Sequence, residues 1–255
     1  MEPKDYILNT LITFVNSSEK ETNETIVARA IIENRDKLDR LSLESIARRY
    51  HVSQPTISRF IRKLGFSGFS ELKSSMKLSR YIVQQASEDK KIGDITENIR
   101  SVHTDIITAV DEILNVDENS LKRLAQQVLS AKRICFMGSE LSMSILRLLQ
   151  HKLLSMGKDV YTILQPGYQN EVLSLMDPDA LLVAVSVAGR WLPVLDREAL
   201  QKCRCTRILL AGHPYDWKKG GFDACYYFST RDLGNQGYHT LMSYVMILNR
   251  MLYQE

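Results

Sequence analysis

The sequence predicts two domains of different class: an all-α bundle over residues 1–80 and an α/β domain with a five-stranded parallel sheet over 95–255, joined by a linker at 81–94. Three observations carry that prediction. Hydrophobic spacing is purely helical as far as Arg80, whereas beyond Lys132 short apolar runs alternate with helix-length segments. Polar and charged residues without strong periodicity cluster at Tyr81–Asp94. Charge changes along the chain as well: residues 1–39 carry a net −3, residues 40–80 a net +7 and residues 81–255 a net −1. The overall +3 therefore conceals one basic block, the asymmetry that nucleic-acid binding needs.

With 255 residues, 44% hydrophobic and 25% charged, the chain lies far from the composition of disordered proteins. Met1–Thr10 holds two acids and no long apolar run, and nothing later reaches the roughly 18 apolar residues of a membrane span. Neither secretion nor membrane insertion is expected, and a cytoplasmic location follows. Cys135, Cys203, Cys205 and Cys225 form no C-x-x-C pair and have no histidine at metal-ligand spacing. Buried, reduced thiols are expected, with no metal and no cofactor.

The helical periods place elements at Tyr6–Val15, Thr25–Asn34, Leu43–Tyr50, Gln54–Leu64 and Phe69–Arg80, then at Thr96–Leu114 and Glu118–Leu129. The apolar runs Ile134–Met137, Val160–Leu164, Leu181–Ser186, Ile208–Ala211 and Cys225–Phe228 are continuous rather than alternating, as strands buried on both faces are.

Within the basic block, Leu43–Arg62 has the pattern of two short helices crossing at a tight turn. Ile46, Ala47 and Tyr50 would be buried by the first helix, Val52 would plug the turn, and Ile57, Phe60, Ile61 and Leu64 would be buried by the second. Ser53 stands where an N-cap accepts a backbone N–H, and Pro55 falls in the first turn, where its missing N–H costs little. His51 takes the turn position that favours φ > 0. At 100° per residue, Pro55, Ser58, Arg59 and Arg62 face outward, with Thr56 and Lys63 on the flank. Such a face suits a major groove: Ser53, Gln54, Thr56 and Ser58 reach base edges or phosphates, Arg59 can bridge guanine O6 and N7, and Arg62 and Lys63 meet phosphates. A plain helical hairpin with a basic face is the competing reading.

The string from Val52 to Phe66, followed by Gly68-Phe69 and Glu71-Leu72-Lys73, resembles the N-terminal domain of the RpiR family of bacterial transcriptional regulators. The resemblance is strong over 42–77 and weaker over 120–255. It implies that the second domain is a sugar isomerase (SIS) domain that senses phosphosugars, and that the chain controls carbohydrate uptake or catabolism genes. A homodimer or homotetramer on a palindromic double-stranded DNA operator is expected. The helix Gly237–Tyr253, apolar on most of its circumference, is the candidate subunit interface, although a buried core helix would look the same.

Two loops of the second domain have the form of an anion site. One leads from the strand at Ile134 through Gly138 and Ser139 into a helix containing Ser142. The other leads from Ser186 through Ala188, Gly189, Arg190 and Trp191 into a helix through Leu200. Resemblance to SIS domains implies G-x-G-x-S and S-x-S-G-x-T there. This chain keeps Gly138, Ser142, Ser186 and Gly189 but has Glu140 for a glycine, Ala188 for a serine and Trp191 for the threonine. Three readings stay open: Arg190 clamps phosphate in place of the lost hydroxyls, Glu140 fills the anion site so that the domain only oligomerises, or Trp191 stacks on a less anionic ligand. Isomerase catalysis is the reading from another class. His103, His151, His213 and His239 are scattered without a carboxylate at helical spacing, so no catalytic residue is assigned and the chain is not expected to be an enzyme.

Overall fold

The computed structural model describes residues 7–16, 18, 20–77, 94–163, 172–173, 176–189, 192, 195, 197–231 and 233–252. These fall into two compact units, one within 7–77 and one within 94–252. The expected linker at 81–94 lies, Asp94 apart, outside the described residues.

The first unit is helical: α1 (Ile7–Asn16), α2 (Asn23–Glu33), a 3₁₀ turn at Leu38–Arg40, α3 (Leu43–Arg49), α4 (Gln54–Lys63) and α5 over 69–77. Its starts are chemically marked. Thr22 and Ser42 each form a capping box with the residue three positions on, so that two otherwise orphaned backbone donors are satisfied at the head of α2 and of α3. Ile7, Leu11, Val27, Ile31, Ile46, Ile57, Phe60, Ile61 and Leu72 are the centre of a single core. Phe60 is 1% exposed and meets Phe14 edge-on at 5.1 Å, so truncating it to alanine would cost about 3–5 kcal/mol.

In the second unit, α6 (Ile95–Asp111), a 3₁₀ turn (Glu112–Asn115) and α7 (Glu118–Ser130) precede β1 (Arg133–Gly138), α8 (Glu140–Ser155), β2 (Asp159–Ile163) and β3 (Ala180–Ser186). Next come α9 (Arg197–Lys202), β4 (Thr206–Ala211), β5 (Ala224–Tyr227) and α10 (Gly237–Met251). The five strands are all parallel in the order β2-β1-β3-β4-β5. Side chains alternate between two cores. Phe136, Val183, Val185, Ile208 and Leu210 pack under α7, α8 and α10, while Cys135, Met137, Leu182, Ala184 and Leu209 pack with Leu173, Leu195, Leu200 and Phe222 on the other face.

Of the helix expected after β3 and through Leu200, α9 is the part among the described residues; before it, Leu192 N–H donates to the Gly189 carbonyl and Leu195 N–H to that of Leu192, both at 3.2 Å. Most apolar side chains of the C-terminal helix are core, since Leu241, Tyr244, Val245 and Leu248 are buried against the sheet. Its outward apolar residues include Met242 and Met246.

Candidate functional site

In the first unit, α3 ends at Tyr50, and His51 takes the left-handed conformation with φ 54° that reverses the chain. Val52 N–H closes the turn on the Ala47 carbonyl at 3.1 Å, and its side chain is buried. Ser53 caps α4 by accepting the Thr56 N–H at 3.2 Å, and its hydroxyl also lies 2.8 Å from that of Thr56. Ile57, Phe60 and Ile61 face inward, whereas Gln54, Pro55, Arg59 and Arg62 are exposed and Thr56 and Ser58 half-buried. Ile46 is buried as expected, while Ala47 and Tyr50 remain half-buried at the rim.

Lys63, expected to meet phosphate, also makes contacts within the unit. Its ammonium lies 2.8 Å from Glu24 Oε2 and 5.8 Å from the centre of the Phe14 ring, so it ties the end of α4 to α1 and α2. The sequence pattern gave no sign of this, because Glu24 lies 39 residues away. Arg59 and Arg62 have no acidic partner among the described residues and are the cations that the outer face of α4 presents.

The second unit has its own focus at the carboxyl end of the sheet. Strand order reverses between β1 and β3, and such a reversal opens a crevice beyond the strand ends. Gly138, the last residue of β1, pairs with Val185. A Cβ at Gly138 would stand 2.7 Å from Met143 Cε and 2.8 Å from the Val185 carbonyl oxygen, so only glycine fits. Ser139 caps α8, Ser142 is fully buried, and their hydroxyl oxygens lie 2.9 Å apart. Across the crevice, the Ser186 hydroxyl accepts the Gly189 N–H at 3.1 Å, and Gly189 has φ 78°.

The fold thus brings Ser139, Ser142, Ser186 and Gly189 to one end of the sheet. Glu140 is half-exposed in the first turn of α8 and Ala188 half-exposed beyond β3, whereas Arg190 and Trp191 lie outside the described residues. One residue was missed by sequence reasoning: the Tyr238 hydroxyl, from the first turn of α10, lies 3.4 Å from Ser139 Oγ. A separation of 99 residues leaves no local signal for it. Among the described residues, no group of three or more His, Cys, Asp or Glu side chains is placed to hold a metal ion.

The chain thus combines a helix-turn-helix bundle with a unit built on a five-stranded all-parallel sheet of the sugar isomerase type. Residues 9–85 match the model of the helix-turn-helix domain of the rpiR family, and the chain carries that family's DNA-binding domain. It is 27% identical over 191 residues to the HTH-type transcriptional regulator HexR of Pseudomonas aeruginosa, a match covering 72% of this chain and 66% of HexR. It is also 27% identical over 172 residues to an HTH-type transcriptional regulator of Providencia stuartii, covering 65% of this chain and 60% of that protein. Both matches thus span less than two thirds of the relative's own length.

Among solved structures, the Vibrio vulnificus NanR protein complexed with ManNAc-6P superposes with a TM-score of 0.52 at 18% identity, covering 97% of this chain and 91% of that one. The sugar isomerase domain of an RpiR transcription factor from Sphaerobacter thermophilus gives 0.51 at 20% identity, covering 60% and 88%. Similarity at this level describes the fold.

Proposed function

We propose that the protein is a sequence-specific DNA-binding transcriptional regulator of carbohydrate uptake or metabolism genes, acting in the cytoplasm. The outer face of α4 carries this reading: Gln54, Arg59 and Arg62 are exposed beside the half-buried hydroxyls of Thr56 and Ser58, on a helix held by the buried Ile57, Phe60 and Ile61. That is the arrangement a helix in the major groove requires, with base-edge readers early in the helix and phosphate contacts farther along. The test is selection of bound fragments from a genomic library, followed by fluorescence anisotropy on the enriched site. Binding that is sequence-selective and falls steeply with salt supports the reading; equal affinity for scrambled duplexes refutes it.

The crevice between β1 and β3 is read as an effector site for a phosphorylated sugar or related carbohydrate. Support comes from the convergence of the Ser139, Ser142 and Tyr238 hydroxyls at the head of α8, and from the fold shared with a NanR protein that holds ManNAc-6P. A thermal-shift series of the full chain with ManNAc-6P, hexose 6-phosphates and their unphosphorylated sugars tests it. No shift with any of them leaves oligomerisation as the role of the unit. Catalysis is not part of the proposal, since the relatives matched in sequence are named as regulators.

A second copy of the chain is the expected partner, with the two copies on the two halves of a palindrome. Ile95, Ile99 and Val102 on α6, Leu148 on α8 and Met242 and Met246 on α10 are large apolar side chains left exposed within the second unit. Light scattering coupled to gel filtration reads the assembly directly, and a Met246→Lys variant that shifts it toward monomer assigns the surface.

A further inference from the structure

We propose that His213 is a ligand-contacting residue of the effector site, its imidazole Nδ1 satisfied by a hydroxyl or phosphate oxygen of the bound carbohydrate. The proposal rests on the effector reading above and adds to it a residue from the loop after β4, the strand beyond the pair that forms the crevice.

The placement is tightly determined. β4 ends at Ala211, which pairs with Ser186, and Gly212 N–H then donates to the Ser186 carbonyl at 3.0 Å. A Cβ at Gly212 would stand 2.6 Å from Phe228 Cζ and 2.7 Å from the Val187 carbonyl oxygen, so the backbone leading into His213 passes where no other residue fits. The ring then lies against the loop that Ser186 folds: a Cβ at Gly189 would stand 2.5 Å from His213 Nε2. Tyr215 flanks the ring, with centroids 6.2 Å apart. Thus Gly189, left-handed and without a side chain, is the residue that lets an imidazole approach the β3 loop.

The chemistry is unfinished in the protein alone. Nδ1 of His213 is buried and has no hydrogen-bond partner among the described residues. Buried polar atoms in folded chains nearly always find partners, so an orphan in the loop packed against Gly189 calls for one, and a ligand group supplies it. A neutral imidazole nitrogen accepts from a sugar hydroxyl, and a protonated one donates to a phosphate oxygen. Both groups occur on a sugar phosphate, whose other end would meet the Ser139 and Tyr238 hydroxyls.

Isothermal titration of the full chain with a panel of aldose and ketose 6-phosphates, the matching free sugars and inorganic phosphate identifies the tightest binder and separates the two sources of phosphate. His213→Asn and His213→Phe are each expected to weaken that binder about tenfold. On ¹⁵N-histidine-labelled wild type, saturation is expected to shift the Nδ1 resonance assigned to His213 by its absence from the His213→Asn spectrum. Equal affinity in wild type and folded variants, or an unmoved Nδ1 resonance at saturation, overturns the role of His213 and leaves the effector reading standing. A wild-type protein that binds nothing in the panel overturns both.

Discussion

The side-chain amide of Asn34 donates to the Tyr50 hydroxyl at 2.7 Å and to the Ala30 carbonyl at the same distance, and the tyrosine hydroxyl in turn donates to Glu33 at 2.8 Å. Asn34 is 2% exposed, so this relay is where α3 is fastened to the end of α2. Burial, and then the Glu33 carboxylate, holds the Tyr50 phenol above its usual range. Tyr50→Phe is expected to cost about 1 kcal/mol, and Asn34→Ala about 2, because it leaves the Ala30 carbonyl with one partner fewer in a buried setting. Urea unfolding followed by circular dichroism measures both.

His51 holds a left-handed conformation that glycine adopts without steric cost. The penalty for a β-carbon there exceeds the entropy that glycine loses on folding, so His51→Gly is expected to raise stability by about 0.5–1 kcal/mol. A lowered denaturation midpoint would show that the imidazole makes a compensating contact.

On operator DNA the two neighbouring cations of α4 are expected to part company. Arg62→Ala should reduce the slope of log affinity against log salt by about one, whereas Lys63→Ala should change it less, because Glu24 already neutralises that ammonium. As an exposed pair, Lys63 and Glu24 add no more than about 1 kcal/mol of stability. Arg59→Ala should relax base preference at a cost of about 1–3 kcal/mol. Anisotropy titrations over a salt series distinguish the three.

Glu112 is a buried carboxylate of the second unit, 3% exposed, accepting the Thr230 N–H at 2.9 Å and the Thr230 hydroxyl, and pairing with Arg231 at 3.0 Å. Burial opposes its charge, yet Thr230 and Arg231 outweigh that and hold the carboxyl below its usual range. A depressed carboxylate stabilises the fold above its unfolded value and loses that contribution as pH falls through the folded one. Glu112→Ala should therefore cost about 2–3 kcal/mol near neutrality and progressively less in acid, read from melting temperatures across a pH series.

The thiols give the opposite sign. Burial, first, and the neighbouring Cys203 push Cys135 up to about 12, and burial pushes Cys225 up to about 11. A group raised in the folded state stabilises below its unfolded value and loses that contribution as pH rises, so these residues weaken the fold on the alkaline side. In the native protein, Cys135 should react with a disulfide reagent at pH 8 far more slowly than in urea, as a spectrophotometric time course would show.

The two-class architecture, the five strands and the capped, proline-led α4 were legible from residue order, because periods of 3.6 and runs of buried apolar residues are local consequences of which face is wet. His51 at positive φ and Ser53 as a cap were legible for the same reason, since each is decided within a few residues. Which polar groups meet was a different matter. Tyr238 beside Ser139, Lys63 on Glu24 and Glu112 on Thr230 join residues 99, 39 and 118 apart, and no local pattern marks them. The parallel run of the strands puts the loops after β1, β3 and β4 at one end of the sheet, but only the strand order, with its reversal between β1 and β3, decides which of them are neighbours. The close approach of His213 to Gly189 follows from that order, since strand register and a missing Cβ, rather than sequence spacing, set the distance between them.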